Sequence, residues 1–283
     1  MKVDFHVHST ASDGTCSPAE LAARTRGFAA AAITDHDNCD GLGEWPGIPG
    51  IELSIEPGAG FDRFHLLGLG IDPAHAGLQA FLRSVLDGRN ARNAQIVKNF
   101  RRIGIEMPDI AAYAHGEVLA RPHFARWLMA HGYAPDVKTA FAQYLLPDSP
   151  RETRCYEERW HPPQAEAFRT IHDAGGICVM AHPKYWRRTW KDVGADFAAA
   201  ERELAALCEK GLDGLESLYQ ANTGAENVAF TRIATRLGLL KTAGSDFHGE
   251  NKPAIPLGME VSESFIAPVL ERLRVRPGPL RQF

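Results

Sequence analysis

Two histidines stand one residue apart in the opening segment KVDFHVHS, at His6 and His8, and the run Ser-Thr-Ala-Ser-Asp-Gly follows. Side chains alternate along a strand, so Asp4, His6 and His8 share one face. The same residue types recur wherever a strand-like run ends. Asp13 lies in the loop after the first run, and His36 ends the second in TDHD. Glu52 sits in PGIELS, His65 in FHLLG and His182 in MAHP. Asp246 and His248, again two apart, close GSDFH. Imidazole and carboxylate are the ligands that suit Zn, Mn or Fe. Any one of these side chains taken alone is most simply a hydrogen-bonded core or loop residue. Gathered in one place without a cation they would be costly to bury. Nine such groups exceed the roughly four to six ligands of a single ion. Two or three divalent ions are therefore expected.

The elements that must position these residues can be read from the pattern. Ser17, Pro18 and Glu20 form a capping box that starts a helix running to Gly27 as C-cap. AAAITDHD, GIPGIELSIE and DRFHLLGLGID read as the next three strands. From about Pro73 the period changes to that of helices, through HAGLQAFLRSVLDGRNARNAQIVKNFRRIGI, RPHFARWLMAHG and KTAFAQYLL. Strand and helix alternate again after Pro162, ending in a closing helix near SFIAPVLERLRV. This spacing predicts an α/β fold built on a parallel sheet, with about seven strands in a barrel or an open sheet. Residues 1–72 and 161–283 would form that domain, with 73–160 a helical insertion. In such folds the working end is where strands end, and there most of the nine residues fall.

Bulk properties narrow the classes. A formal net charge of −4 does not suit a general nucleic-acid binder. No run approaches the roughly 18 apolar residues of a membrane span. The N-terminus shows no signal-peptide pattern. Five scattered cysteines, with no C-x-x-C pair, point to reduced thiols and a cytoplasmic setting rather than a disulfide framework or a structural zinc site.

In this order HVHSTASDG, ITDHD, PGIELS, MAHP and GSDFH resemble the four motifs of the polymerase and histidinol phosphatase (PHP) family. The segment ARPHFARWLMAHGYAPDVKTAFAQYLLP resembles its subgroup of nucleoside 3′,5′-bisphosphate phosphatases and 5′-to-3′ exoribonucleases. The resemblance implies a distorted (β/α)7 TIM-like barrel with a trinuclear metal centre at its mouth, manganese being the expected metal. It implies that His6, His8, Glu52 and Asp246 hold one ion. Glu52 would bridge to a second, held also by His65 and His182, while Asp13, His36 and His248 hold the third. Asp4 would orient one of the histidines. A water bridging clustered cations loses its proton near neutral pH and supplies hydroxide to phosphorus. Asp37 is a candidate acid or base.

The same resemblance directs attention to cations for the substrate. Arg121, His123 and Arg126 in RPHFAR, Arg92 and Gln95 in GRNARNAQ, and Lys184 after MAHP are the expected phosphate contacts. Most other basic residues of the helical stretch, such as Arg83 and Arg101, read as a solvated face, and Arg187 and Arg188 as loop surface. Two departures stand out. Residues 38–48 are too few for the usual crossover helix, which predicts a more open barrel there with Trp45 over the gap. Ala94 stands where the subgroup pattern favours a second arginine. The expected activity is hydrolysis of nucleotide phosphomonoesters, including short RNA 5′ ends, by a monomer acting on a small phosphorylated substrate. A phosphatase or cyclic phosphodiesterase for another small metabolite, a non-catalytic metal-binding module and a metal-dependent amidohydrolase are the alternatives.

Overall fold

The computed structural model describes residues 1–56, 63–114, 119–186 and 197–274. Among the described residues eight strands follow one another: β1 (Lys2–Val7), β2 (Ala30–Ile33), β3 (Ile48–Ile55), β4 (Phe64–Leu69), β5 (Ile177–Met180), β6 (Gly214–Tyr219), β7 (Leu240–Gly244) and β8 (Met259–Glu260). They form one sheet in the order β7-β6-β5-β4-β3-β2-β1-β8. The sheet curls so that its two sides meet. A parallel bridge joins Val7 to Phe247, and His6 and His8 exchange backbone hydrogen bonds with the chain just after β7. β8 pairs with the start of β1 at Lys2 and Val3. The result is a seven-strand ring with a short extra strand, the distorted barrel expected from the motifs.

One expectation is corrected. The sheet is not parallel throughout, because β4 runs antiparallel to both β3 and β5. Only residues 56–63 separate β3 from β4. A parallel return needs a crossover of about a dozen residues, so the chain turns back instead. The start of β4, rather than its end, therefore lies at the mouth, with His65 opposite Ser54 of β3.

Among the described residues seven α-helices follow the first. The first, α1 (Pro18–Arg24), carries the predicted capping box between Ser17 and Glu20, but it ends earlier than expected, with Thr25 as its C-cap. α2 (Ala76–Arg102) is followed by α3 (Arg121–Ala130) and α4 (Val137–Ala140), which leads into a π-helical turn at Phe141–Leu145. α5 (Gln164–Asp173), α6 (Phe197–Cys208), α7 (Gly224–Arg236) and α8 (Glu263–Arg272) complete the set. α2 serves two cores. Leu78, Phe81, Leu82 and Val85 belong to the core packed on the ring. Ile96 and Phe100 join Phe124, Trp127, Leu128 and Tyr144 in a separate core within the helical segment.

The short β2–β3 connection keeps the strands paired, through Ala32 with Ile48 and Ile33 with Pro49. It holds only a 3₁₀ turn, Asp40–Leu42. Trp45 is buried in the ring core and donates from Nε1 to Ile48 O at 3.0 Å. It occupies the space a crossover helix would fill, as expected, and the barrel is not open there. A Cβ on Gly47 would lie 2.5 Å from Ala31 O and 2.7 Å from the indole, so this position has no room for a side chain. Trp45→Ala should therefore cost about 3–5 kcal/mol of stability, read as a lower urea midpoint. A loss under about 1 kcal/mol would show that the indole does not brace the gap.

Candidate active site

The ring gathers all nine predicted donors. His6 and His8 come from β1 and its end, Glu52 from β3 and His65 from β4. His36, His182, Asp246 and His248 follow β2, β5 and β7, and Asp13 lies in the β1–α1 loop. Gly14 lets that loop fold back, since a Cβ there would strike His8 O. Among the described residues four non-glycines adopt a positive φ, and three are here: Asp37 at 59°, His182 at 27° and Asp246 at 58°. Each such residue costs of order 1–3 kcal/mol and persists only where its surroundings impose it.

Glu52 is the centre of the cluster. Its oxygens lie 2.8 Å from His65 Nδ1, 3.0 Å from His36 Nδ1 and 3.1 Å from His182 Nε2. His8 and His6 approach the same carboxylate at 3.2 and 3.4 Å through Nε2. Asp246 Oδ1 is 3.3 Å from His248, 3.4 Å from His8 and 3.6 Å from His6. Asp13 Oδ1 is 3.2 Å from His248 Nε2 and 3.6 Å from His8 Nδ1. Donor atoms converge in overlapping groups: His8, Asp13, His36 and His248; His6, His8 and Glu52; His36, Glu52 and His65.

These residues fit divalent cations on geometry. Asp13 Oδ1, His36 Nδ1 and Glu52 Oε2 are buried and accept or donate no hydrogen bond. His36 Nδ1 and Glu52 Oε2 are 3.0 Å apart yet out of line for one. Buried lone pairs aimed at a common space are what a cation satisfies. The titration pattern agrees. Burial works to raise Glu52, but His36, His65 and His6 outweigh it and hold the carboxyl well below its usual range. Asp13 is held low against burial by His36 and His248. Burial, with His248 and His36 nearby, pushes His8 down to about 3, so its imidazole stays neutral and ready to ligate. His36 rises to about 9 despite burial, because Glu52 and Asp13 face it. In the protein by itself some imidazoles thus carry positive charge beside the carboxylates.

A second layer holds the imidazoles, and here the sequence reading misassigned one role. Asp4 does not touch a histidine ring. Its carboxylate accepts from the backbone of His6, Ser245 and Gly258 and from the Ser245 hydroxyl at 2.6 Å, tying β1 to the chain after β7. The residue that holds His6 is Glu216 on β6, which sequence reasoning missed. Glu216 Oε1 is 2.9 Å from His6 Nδ1, and Oε2 accepts from the backbone N–H of His182 at 2.5 Å. Gly244 makes room for it, as a Cβ there would collide with that carboxylate and lie 2.6 Å from His6 Cβ. The available signal was a lone carboxylate inside the apolar strand GLESLY. Asp35 backs His8 more indirectly: it accepts from Ser12 Oγ at 2.5 Å, and Ser12 Oγ is 3.4 Å from His8 Nδ1.

Beside the donors is a cationic cavity of about 340 Å³, lined by Arg63, Arg89, Arg92, Arg121 and Arg159. Asp37, the candidate acid or base, is a correction. It is buried between Arg89, in close contact, and Arg159 Nη2 at 3.0 Å. Burial opposes its ionisation, but the two guanidiniums outweigh burial and hold it far below the carboxylate range. A carboxylate so held anchors arginines and does not carry a proton to donate. Arg92 Nη2, Arg89 Nε and Arg159 Nη1 are buried with no hydrogen-bond acceptor. Burial and the neighbouring guanidiniums of Arg89, Arg121 and Arg159 push Arg92 down to about 9.

The other expected phosphate contacts divide. Arg92 and Arg121 line the cavity. Arg126 is half-buried with Nη2 unpaired, but it is not part of the lining. Gln95 turns to Asn99 instead, at 3.1 Å. His123 is fully buried, and its Nδ1 accepts from the backbone of Ala120 as part of the α3 N-terminus. Lys184 is spent on Glu226 at 3.0 Å and Ala221 O at 2.7 Å. Arg187 and Arg188 lie outside the described residues. Arg89 belongs to the cavity rather than to a solvated face, and Arg63 and Arg159 were not anticipated; nothing local distinguishes them from surface arginines.

Donors for several cations beside a wall of guanidiniums are what a metal-dependent phosphoesterase requires: cations for the phosphoryl group under attack and arginines for further charge. No family model matches the chain. It is similar to a 3′,5′-nucleoside bisphosphate phosphatase of Chromobacterium violaceum, 33% identical over 270 residues and 90% of each protein. A 5′-3′ exoribonuclease of Haemophilus influenzae is 33% identical over 262 residues, 87% of this chain and 90% of that one. Among solved structures, a Chromobacterium violaceum protein described as an amidohydrolase, with bound sulfate and no metal, superposes with a TM-score of 0.81 at 30% identity over 98% of this chain and 99% of its own. The chain belongs to the PHP family of metal-dependent phosphoesterases and is a hydrolase.

Replacing Glu216 by Gln keeps the shape but removes the charge that orients His6. Divalent-cation affinity should fall about 10- to 100-fold, measured by calorimetric titration of metal-free protein, with the circular dichroism spectrum kept. Unchanged affinity would show that His6 needs no such partner.

Proposed function

We propose that this enzyme removes a phosphomonoester from a nucleotide that carries a second phosphate, a nucleoside 3′,5′-bisphosphate fitting best. The observation that carries this is the placing of three buried, unpaired guanidinium nitrogens, of Arg89, Arg92 and Arg159, around one cavity that Asp13, His36 and His65 of the donor cluster also line. A bound phosphate would supply the acceptors those nitrogens lack, while the ester to be cleaved meets the donors. Sulfate, another tetrahedral dianion, is bound in the solved Chromobacterium violaceum structure described as an amidohydrolase.

In this reading His6, His8, Glu52 and Asp246 hold one divalent cation, Glu52, His65 and His182 a second, and Asp13, His36 and His248 a third, manganese being the metal expected. Such ions acidify water and neutralise phosphoryl oxygens when bound. The chain itself does the rest. Glu216 fixes the ring of His6, Asp37 fixes Arg89 and Arg159, and Arg92 and Arg121 close the cage around the second phosphate. Residues 73–160 form the insertion that carries Arg89, Arg92, Arg121 and Arg159 to the mouth of the barrel. No described helix is long and apolar enough to cross a membrane, and five free cysteines suit a reducing, cytoplasmic setting.

The deciding measurement is phosphate release from a panel. Adenosine 3′,5′-bisphosphate should be hydrolysed well and histidinol phosphate poorly; the reverse order would defeat the proposal. Chelation of divalent ions should abolish release and added Mn should restore it. His8→Ala and Asp246→Asn should each lose at least about 10³-fold in kcat with the fold intact, and undiminished turnover in both would place the chemistry elsewhere. Arg92→Ala should raise KM for the bisphosphate by about 10- to 100-fold, the scale of one charged hydrogen bond. It should change p-nitrophenyl phosphate far less. Equal losses on both would remove Arg92 from the second-phosphate site.

A further inference from the structure

Away from the mouth, the described residues hold one more convergence of ligating side chains. His172 lies in the last turn of α5, Cys178 near the start of β5, and Asp213 immediately before β6. A ligand atom of each lies within 4.8 Å of the other two. His182 follows the far end of β5, roughly 13 Å along the strand at about 3.3 Å per residue. The group therefore sits at the foot of the ring and shares no residue with the nine donors.

Asp213 holds this corner together. Its backbone N–H donates to Cys178 O at 2.9 Å. Its Oδ2 accepts from the Cys178 N–H at 2.8 Å and lies 2.7 Å from His172 Nε2. Both side-chain contacts fall on Oδ2, which leaves Oδ1 for an ion. The Cys178 thiol is fully buried, and its hydrogen bond to Phe168 O, at 3.7 Å, is a weak one. The His172 and Asp213 side chains are 35% and 28% exposed, so an ion can reach the sulfur from solvent between them. Gly211, at φ 111°, lies against the imidazole, where a Cβ would come within 3.2 Å of His172 Cε1.

Nitrogen, sulfur and carboxylate oxygen together make a zinc-binding set. Sulfur separates it from the mouth, whose nitrogen and oxygen donors suit manganese as well. Tetrahedral zinc holds its ligands about 2.0–2.3 Å away, which sets their atoms roughly 3–4 Å apart. His172, partly exposed at the end of its helix, can swing by the difference.

We propose that His172, Cys178 and Asp213 bind zinc, with water in the fourth position, and that the ion ties α5, β5 and the start of β6 together at the foot of the barrel. Binding forms a zinc–sulfur bond and breaks the sulfur–hydrogen bond, the proton passing to solvent. No electron is transferred. No C-x-x-C pair announces such a site, because its members meet only when β5 pairs with β6, Val179 beside Gly214.

The probe is cobalt, which takes the place of zinc and absorbs in the near ultraviolet when a thiolate binds it. Added in excess to the metal-free full chain, cobalt should give this sulfur-to-metal band, and zinc should then remove it. His8→Ala, a change at the mouth, should keep the band, and Cys178→Ser should lose it. His172→Gln alters a partly exposed side chain that the fold does not need. It should weaken cobalt binding at the band by at least about tenfold, since even the outer partners of a metal site are worth 10- to 100-fold. Manganese-supported phosphate release should be the same in His172→Gln as in the unaltered protein. Absence of the band, its survival in Cys178→Ser, its loss in His8→Ala or unchanged cobalt affinity in His172→Gln would each overturn the site. If Cys178→Ser fails to fold, the His172→Gln titration decides by itself. None of these outcomes depends on which phosphate ester the mouth cleaves.

Discussion

Negative charge concentrated at the mouth of a barrel is the constraint behind most of this structure. Asp13, Glu52, Glu216 and Asp246 are all buried there, and the basic groups facing them are mostly imidazoles, with Lys252 beside Asp246 and Arg126 near Asp13. Several ionised carboxylates in so small a volume are tolerable only when cations or hydrogen bonds meet them. Imidazoles fill that role in part, which is why His6 and His36 are pushed toward the protonated form while His8 is kept neutral. The unsatisfied oxygens of Asp13 and Glu52 mark what remains.

Holding these charges together falls to the ring closure. Asp4 fastens β1 to the segment after β7 through Ser245 and Gly258, one layer away from the donors. Glu216 spans from His6 on β1 to the backbone at His182 after β5, and Gly244 is small enough to let it pass. The left-handed backbone at Asp37, His182 and Asp246 belongs to the same economy of space. Strain at these positions persists because the surrounding strands leave the backbone no other route.

The floor of acids stands beside a wall of arginines, and the two are in contact. Asp37 follows His36 directly, yet its carboxylate faces Arg89 and Arg159. A single residue step thus separates a cation-binding group from the clamp of an anion-binding one. Cations at one and a phosphate at the other would each relieve the repulsion that the folded chain carries by itself. A substrate that brings two phosphates suits that division of charge.

Local pattern made much of this readable. Period-two alternation placed His6 and His8 on one face, residue type declared the ligand chemistry, and turn residues marked most strand ends, because each depends only on near neighbours in the chain. Long-range pairing was not readable. The direction of β4, which brings the start of that strand and His65 to the mouth, follows from a connection too short to cross over. Glu216 rather than Asp4 supports His6 because closing the ring sets β1 beside β7 and so brings the Glu216 side chain of β6 within reach of an imidazole 210 positions away. Likewise Arg89 and Arg159 leave the solvent, and Gln95, His123 and Lys184 leave the substrate, according to partners met only after packing. Side-chain type and spacing are properties of the chain; which charges are desolvated together, and so which must be paired, is a property of the closed barrel.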